Sequence, residues 1–279
     1  METRQKFYKL KSLIEESGLK AREYFESDDF SNEQKADGSV VTRIDNEIEK
    51  IIRGFIGDNF PEDSIVGEEA DDVRGVSGYV WHVDPIDGTD NFLRKIPFCA
   101  ISVARLGDTT EGTFAFVHNP ITNHTFSAFG SEGANENNQK AVCTPEPLGG
   151  RYVITIGRGR EAWMKLARNR LITALDEKFG KATMYGSTAL ELAYVSAGRI
   201  DGFLTFGLAS YDYAAGLYLV RAAGGEISVF EDNAWTIWEG TIKELCSQHR
   251  RTMFASHPDV HKSVCDFIGD PKRWAEGIG

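Results

Sequence analysis

The sequence predicts a layered α/β fold, and three observations support that prediction. The first part of the chain carries two apolar patterns with helical spacing. The middle carries short apolar runs, rich in aromatic and β-branched residues, that are typical of strands. The second half alternates strand-like and helix-like segments, which indicates helices packed on the faces of a sheet with loops gathered at the strand ends.

The first helix is predicted near residues 3–26, where apolar residues recur every three or four positions. A second amphipathic helix is predicted after Thr42, which together with Asp45 fits a capping box. Asp45 therefore lies in the first turn of that helix. A short strand at residues 64–67 follows, and Glu68 stands at its end.

The segment from Trp81 to Phe92 is the most informative in the chain, because it places three aspartates within seven positions. Residues 79–83 predict a buried strand that ends near Asp84, since Pro85 cannot donate a ladder hydrogen bond. Gly88 and Thr89 then predict a turn that opens a short helix. The free N–H groups at such a helix start suit a phosphate.

Three apolar strands are predicted after this segment, followed by an Asn-, Gly- and Pro-rich tract at residues 130–150. This tract predicts a division into an N-terminal unit, residues 1–148, and a C-terminal α/β unit, residues 149–279. In the second unit, a helix is predicted to start at a cap formed by Thr188 and Glu191, and another near Asp212.

The net charge of −11 argues against a nucleic-acid partner, because phosphate backbones are bound by an excess of Lys and Arg. The same charge makes an anionic small substrate puzzling unless a cation bridges it. No apolar stretch approaches the length of a membrane span, and the N-terminus has no apolar signal core. The four cysteines form no C-x-x-C pair, so we expect free thiols and a cytoplasmic protein.

Five carboxylates fall at the ends of predicted elements: Asp45, Glu68, Asp84, Asp87 and Asp212. Each has an ordinary explanation when taken alone, such as helix capping, dipole complementation or a solvated acidic loop. Together they supply enough acid for two or three Mg²⁺ ions, and they would repel one another without a cation.

These residues occur within motifs whose order resembles the inositol monophosphatase family, of the lithium-sensitive, Mg²⁺-dependent sugar phosphatase superfamily. The motifs are Gly67-Glu68-Glu69, Asp84-Pro85-Ile86-Asp87-Gly88-Thr89, Tyr211-Asp212-x-Ala214-Ala215 and Ala223-Gly224-Gly225. The combination is far more specific than any one motif. The resemblance implies an alternating α-β-α-β-α sandwich and a phosphoric monoester hydrolase that acts through activated water.

The resemblance also implies roles for individual residues. The implied metal ligands are Glu68, Asp84, the carbonyl of Ile86, Asp87 and Asp212. The implied catalytic residues are Glu68, Thr89 and Asp45. The implied substrate-binding residues are Asp87, Gly88, Thr89, Gly186, Ser187, Thr188 and Asp212. Metal-activated water needs no side-chain nucleophile.

Two departures from the family pattern leave the substrate open. Inositol-specific members carry an acidic residue where this chain has Thr205, and Asp90 follows Thr89 where Thr is common. Asp90 is interpreted either as a solvated helix-start carboxylate or as a group that faces a substrate amine. Arg158 and Arg160 are interpreted as surface charges, with contact to a second phosphate as the alternative.

Inositol monophosphate is the first candidate substrate, with histidinol phosphate or a fructose 1,6-bisphosphate-like ester as alternatives. A regulatory binding protein on the same fold is the alternative without enzymatic activity. The resemblance also implies a homodimer.

Overall fold

The computed structural model describes residues 2–27, 32–34, 40–144, 150–159, 161–247 and 251–276. Between residues 2 and 144 the helices are α1 (Thr3–Glu26), α2 (Arg43–Asn59) and α3 (Thr89–Leu93). The strands are β1 (Asn32–Gln34), β2 (Val40–Thr42), β3 (Ser64–Gly67), β4 (Val80–Asp87), β5 (Ala100–Leu106), β6 (Phe114–Asn119), β7 (His124–Phe129), β8 (Ala134–Glu136) and β9 (Gln139–Ala141).

From residue 150 onward the helices are α4 (Ala162–Phe179), α5 (Thr188–Ser196), α6 (Ser210–Ala222), α7 (Ile242–Cys246), α8 (Pro258–Ile268) and α9 (Arg273–Glu276). The strands are β10 (Tyr152–Ile156), β11 (Gly180–Thr183), β12 (Gly202–Phe206), β13 (Glu226–Glu231), β14 (Ala234–Ile237) and β15 (Thr252–Ser256).

Two large sheets organise these elements. The first has the order β3-β4-β5-β6-β7-β8-β9, and the second has the order β11-β10-β12-β15-β13-β14. β3 pairs with β4 in parallel, so the carboxyl ends of both strands lie at the same edge of the first sheet.

Three apolar clusters show that the layers alternate. One joins α1 and α2 to one face of the first sheet. A second joins the other face of that sheet, through α5 and α6, to the second sheet. A third covers the far face of the second sheet with α4 and α8. The order is helix, sheet, helix, sheet, helix, which confirms the predicted α-β-α-β-α sandwich.

Most predicted elements are confirmed, but the end of β4 is not where the sequence placed it. The strand was predicted to end near Asp84, yet it continues to Asp87. Asp84 pairs with Ser102 and Asp87 with Ala100, so the two residues between the aspartates face one residue of β5. Pro85 lies in this irregularity, where a missing N–H is tolerated, because a bulge leaves one residue out of the ladder.

The tract at residues 130–150 is also more ordered than predicted. β8 and β9 form a hairpin that extends the first sheet within this tract. The proposed boundary between residues 148 and 149 falls at residues 145–149, which lie outside the described part of the chain, as does Arg160. None of the described helices has the length and apolar character needed to cross a bilayer. All four cysteines are free thiols.

Candidate active site

The candidate site lies at the carboxyl ends of β3 and β4, and β4 carries two of its carboxylates. Asp84 is buried and Asp87 is half-buried. Gly88 follows with a φ of 88°, a left-handed conformation that glycine adopts without steric cost. The turn allows α3 to begin immediately after the strand, so the amides of Gly88 and Thr89 lie next to Asp87.

Glu68 and Asp45 reach the same region from other elements. The N–H of Glu68 donates to the carbonyl of Val83 at 3.2 Å, which fixes Glu68 beside β4. Asp45 is buried in the first turn of α2. The N–H of Thr42 donates to Asp45 Oδ2 at 3.0 Å, and the Thr42 hydroxyl also donates to this oxygen. The predicted pairing of Thr42 with Asp45 is therefore confirmed.

Asp212 comes from the second half of the chain. It lies in the first turn of α6, where its Oδ2 accepts the N–H of Ala209 at 2.9 Å. The hydroxyl of Ser102, the residue paired with Asp84, donates to the carbonyl of Tyr211 at 3.5 Å. The start of α6 therefore approaches β5 next to Asp84.

The charges of these groups are coupled. Burial raises the pKa of Asp84 well above its usual range, and Glu68, Asp87, Asp212 and Asp45 raise it further through like-charge repulsion. Burial also raises the pKa of Asp45 to about 7, against the hydrogen bonds from Thr42. The structure therefore brings all five predicted carboxylates close enough to interact.

Asp87 also links the end of β4 to the start of α5. Burial raises its pKa to about 7, although hydrogen bonds from Ser187 and Ala189 oppose the shift. Its Oδ2 accepts the Ser187 hydroxyl at 2.6 Å and the N–H of Ala189 at 2.7 Å. These contacts place the segment Gly186–Thr188 against the end of β4.

The same segment is held by two residues that the sequence analysis did not assign to the site. Asn91 Nδ2 donates to the carbonyls of Phe98 and Tyr185, both at 2.8 Å. Glu191 Oε1 accepts the N–H groups of Tyr185 at 3.0 Å and Gly186 at 2.8 Å. A polar residue in a helical pattern usually indicates a solvent-exposed position. The only sequence signal for Asn91 was its position shortly after the Asp-Gly-Thr turn.

The predicted cap of α5 was wrong by one residue. Ser187, not Thr188, is the N-cap, and its side chain accepts the N–H of Leu190. The carboxylate of Glu191 bonds the peptide groups before the cap rather than completing a box with Thr188. Ser187 is fully buried, whereas Thr188 is half-buried in the first helical position.

Carboxylate oxygens are the type of ligand that a hard cation such as Mg²⁺ prefers. Asp45 Oδ1 and Asp84 Oδ1 are buried and accept no hydrogen bond within the described chain. Such oxygens are costly in a protein interior unless a proton or cation satisfies them. The described residues do not, however, contain three or more His, Cys, Asp or Glu side chains already converged as a metal centre. The ligand set remains a prediction.

Other predicted residues have clear positions. The Thr89 hydroxyl donates to the carbonyl of Ile86 at 3.0 Å. Arg158 and Asp90 form an exposed ion pair at 2.6 Å that joins α3 to the loop after β10. Thr205 is buried in β12, and its hydroxyl has no hydrogen-bond partner in the described part of the chain.

A comparison with known families decides the family of this chain. The sequence profile described as the inositol monophosphatase family matches residues 3–265. The chain belongs to the inositol monophosphatase family. The resemblance inferred from the motifs is thereby confirmed, and the class of activity that the family supports is a phosphatase.

Two relatives from this family illustrate its range. The inositol-1-monophosphatase of Bacillus subtilis (strain 168) is 32% identical over 227 residues, 81% of this chain and 82% of the relative. A protein of Escherichia coli (strain K12) named Nus factor SuhB is 36% identical over 218 residues, 76% of this chain and 80% of the relative. The second name does not describe an enzymatic activity.

Solved structures of the family share the fold. The IMPase of Thermotoga maritima matches with a TM-score of 0.78 and 26% identity, covering 95% of this chain and 96% of that one. The extragenic suppressor protein suhB of Bartonella henselae matches with a TM-score of 0.74 and 26% identity, covering 96% and 98%.

Proposed function

We propose that this family member is a Mg²⁺-dependent phosphomonoesterase that hydrolyses a small polyol phosphate, with inositol monophosphate as the first candidate. The observation that carries the proposal is that Asp84 is buried and has four other carboxylates near enough to raise its pKa further by like-charge repulsion. A cluster of buried acids with unsatisfied oxygens suits cations that in turn attract a phosphate.

The residues that would hold the cations follow the family pattern. Glu68, Asp84 and the carbonyl of Ile86 would hold one Mg²⁺. Asp84, Asp87 and Asp212 would hold a second. Asp45 and Glu68 would serve a weaker third. When bound, these ions would lower the pKa of an attacking water and neutralise charge on the phosphate.

The chain itself would bind and orient the reactants. The N–H groups of Gly88 and Thr89 would bind phosphate oxygens at the start of α3. Thr89 Oγ1 uses its own proton on the Ile86 carbonyl, so its lone pairs would accept a hydrogen bond from the attacking water. Asp45 Oδ1 would take the proton of that water, because Thr42 already occupies Oδ2. The water oxygen would bond to phosphorus as the ester P–O bond breaks, and the leaving alkoxide would take a proton from solvent and depart as the alcohol.

The segment Gly186–Thr188 would contact the leaving alcohol. Its link to Asp87 through Ser187 places it beside the end of β4. Together with Asp87 and Asp212, it would form the side of the site that faces the polyol hydroxyls. Thr205 gives this chain a neutral residue where inositol-specific members are acidic, so histidinol phosphate and a fructose 1,6-bisphosphate-like ester stay as alternative substrates.

A second function is favoured by one specific comparison. A relative that covers three quarters of this chain is named Nus factor SuhB, which supports a binding role on the same fold. In that case the chain would act through a partner, and turnover would be absent or incidental. Because one relative carries the name Nus factor SuhB, the absence of a nucleic-acid partner stays a prediction.

Phosphate release would distinguish these functions. The purified protein is incubated with inositol 1-phosphate, histidinol phosphate and fructose 1,6-bisphosphate, with Mg²⁺ and with a chelator. We expect turnover that requires Mg²⁺ and a clear preference by kcat/KM for inositol 1-phosphate. A preference for another ester would reassign the substrate, and no turnover on any ester would favour the binding role.

We further propose that the units 1–148 and 149–279 are the two halves of the site, that the protein forms a homodimer, and that it acts in the cytoplasm. The first part is supported by the origin of Asp212 and Gly186–Thr188 in the second unit. The homodimer is supported by the family resemblance, and the location by free cysteines. Size-exclusion chromatography with light scattering would test the homodimer directly.

A further inference from the structure

We propose that Glu49 and Arg53 of α2 form a clamp that positions Glu68 for cation binding. This proposal rests on the proposed function, because it concerns the same site. Neither residue belongs to the carboxylate cluster described above. We call these two side chains, with their hydrogen bonds to residues 69–71, the Glu49–Arg53 clamp.

Glu49 is a buried carboxylate with both oxygens occupied. Its side chain is 2% exposed. Oε2 accepts the N–H of Glu69 at 2.9 Å, and Oε1 accepts the N–H of Ala70 at 3.2 Å. Oε1 also accepts Arg53 Nε at 2.7 Å, one helical turn away. Burying this charge is tolerable because the carboxylate is paired and fully hydrogen-bonded.

Arg53 completes the clamp as a hydrogen-bond donor, whereas Glu49 is an acceptor. Nη1 donates to the carbonyl of Asp71 at 2.9 Å, and Nη2 donates to the carbonyl of Ala70 at 2.8 Å. The pair therefore satisfies two N–H groups and two carbonyls of a loop that has no regular secondary structure. The planar guanidinium suits this task, because its donors are fixed in a fork.

Gly67 gives the clamp its room. A Cβ on this residue would overlap Glu49 Oε1 and lie 2.5 Å from Arg53 Nη2. The absence of a side chain therefore lets α2 approach the end of β3. This is a physical reason for glycine before the two glutamates of the motif Gly67-Glu68-Glu69.

Glu68 is held between two anchors as a result. On one side its own N–H bonds the carbonyl of Val83 in β4. On the other side the clamp binds the next three residues. The clamp therefore fixes a loop that begins with two adjacent carboxylates, Glu68 and Glu69, and like charges repel one another in the absence of a cation.

The consequence is a division of labour between Glu68 and Glu49. Glu68 would contact the cation, whereas Glu49 would keep Glu68 in place through the backbone of residues 69 and 70. Glu49 is therefore a positioning residue. Groups that orient metal ligands in this way change metal affinity or activity by about 10- to 100-fold when they are removed.

The test compares Glu49→Gln with wild type by two measurements. Calorimetric titration with Mg²⁺ alone gives the dissociation constant, and amide hydrogen exchange in the metal-free protein reports the N–H groups of Glu69 and Ala70. A Gln side chain presents an NH₂ group to one of the donors that Glu49 accepts. We expect Mg²⁺ affinity to fall about tenfold or more, with faster exchange at these amides.

Asp63→Asn is the matched control. Asp63 forms another buried pair, in which Arg105 Nε donates to Asp63 Oδ2 at 2.6 Å. Arg105 is paired with Trp81, near the opposite end of β4, roughly 20 Å along the strand from Asp87. Because each variant weakens a buried ion pair, both should lose stability. Only the control should keep the Mg²⁺ affinity of wild type, and its Glu69 and Ala70 amides should exchange as slowly as in wild type.

Arg53→Lys covers the case in which Glu49→Gln fails to fold. Lysine keeps the charge beside Glu49 but cannot fork between the carbonyls of Ala70 and Asp71. We expect a smaller loss of Mg²⁺ affinity in the same direction. In activity assays, both variants should need more Mg²⁺ for half-maximal rate, with little change in KM for the ester at saturating Mg²⁺.

The outcomes separate two failures. If wild type binds Mg²⁺ and both clamp variants bind it equally well, the positioning role is wrong and the proposed function stands. If wild type binds no Mg²⁺, the proposed function fails, and the role of the clamp toward a cation fails with it. Unchanged exchange at Glu69 and Ala70 in Glu49→Gln would overturn the clamp itself.

Discussion

At the scale of single residues, Asp87 has two tasks that involve different oxygens. Oδ2 is committed to Ser187 and Ala189 at the start of α5. The other oxygen, Oδ1, would be the ligand of Mg²⁺ in the proposed function. A substitution that keeps an oxygen for Ser187 but removes the charge should therefore separate the structural task from the catalytic one.

Asp87→Asn is expected to abolish most activity while preserving the fold. Metal-assisted charge stabilisation is worth several kcal/mol, so kcat/KM should fall by at least about a hundredfold. The melting temperature of the metal-free protein should change little, because Asn keeps an acceptor for Ser187 and Ala189. Phosphate release and thermal unfolding measure the two effects. Asp108→Asn, at an exposed ion pair with Lys243, is the control and should retain activity. Near-normal turnover in Asp87→Asn would refute the metal assignment.

Glu191 offers a test that depends on pH. Burial raises its pKa from 4.5 to about 7, although Thr155 and three backbone N–H groups lower it. Oε2 nevertheless makes no well-aligned hydrogen bond within the described chain. A carboxyl whose folded pKa is raised binds its proton more readily in the folded state. Its ionisation therefore lowers stability as the pH rises from about 4.5 to 7, and the loss is complete above 7.

Glu191→Gln is expected to remove this pH dependence. The amide oxygen can still accept the N–H groups of Tyr185 and Gly186, and no charge is buried at any pH. Relative to wild type, the variant should therefore gain about 2 kcal/mol between pH 5 and pH 8. Urea denaturation of both metal-free proteins at the two pH values measures this gain. An equal difference at pH 5 and pH 8 would mean that Glu191 does not titrate in this range.

The residues of the candidate site were predictable to different degrees. Asp45 and Asp87 stand at element ends in recognisable motifs, so their position along the chain indicated their proximity. Glu49 lies inside a helical pattern, where a carboxylate ordinarily faces solvent, and Glu191 was predicted only as part of a helix cap. Their importance comes from peptide N–H groups of distant loops, and sequence spacing carries no information about such contacts.

At the scale of elements, α1 and β6 are fitted together at one glycine. Gly18 is buried in α1, and a Cβ at this position would overlap the ring of His118 in β6. The ring is fixed there, because His118 Nδ1 bonds Thr125 Oγ1 at 2.9 Å and Thr125 Oγ1 donates to Glu15 at 3.1 Å. Burial lowers the pKa of His118 to about 4, so the ring is neutral near pH 7.

Gly18→Ala is expected to destabilise the protein by about 1–3 kcal/mol, because the methyl group overpacks this contact. The expectation is opposite to the usual effect, since Ala in a helix interior is favoured over Gly by about 0.5–1 kcal/mol. Gly54→Ala on α2 supplies the control, because a Cβ there meets nothing within 4 Å. Urea unfolding should show a loss for Gly18→Ala and a gain for Gly54→Ala. A gain for both would show that α1 and β6 can separate at little cost.

The elements were largely predictable because their apolar periodicity is clear, and the exceptions have physical reasons. Pro85 argued for a strand end at Asp84, but a bulge accommodates proline and lets β4 reach Asp87. The hairpin of β8 and β9 was not predicted, because each strand has only three residues and the surrounding tract is rich in turn-forming residues. Pairing with β7 stabilises these strands, and that pairing is not visible in local sequence.

At the scale of the whole molecule, the candidate site depends on how the two sheets are joined. α5 and α6 pack between them, within one apolar cluster that includes residues of both sheets. Asp212 at the start of α6 and Ser187 at the start of α5 reach the end of β4 from this middle layer. The packing free energy of the whole sandwich therefore offsets the repulsion among the grouped carboxylates. A bound cation would reduce that repulsion.

Mg²⁺ is accordingly expected to stabilise the folded protein, because only the folded chain groups these carboxylates. At a hundredfold excess over its dissociation constant, an ion that binds only the folded state contributes about 2.7 kcal/mol. For a chain of this size, the melting temperature should rise by about 5 °C. The control is NaCl at matched ionic strength, since screening of the net charge of −11 also stabilises the protein. Chelator should reverse the Mg²⁺ effect, and Asp212→Asn should reduce it because the second unit then contributes no charged ligand. Equal shifts with Mg²⁺ and NaCl would mean that the cluster binds no specific cation, and that the acids are satisfied by protons instead.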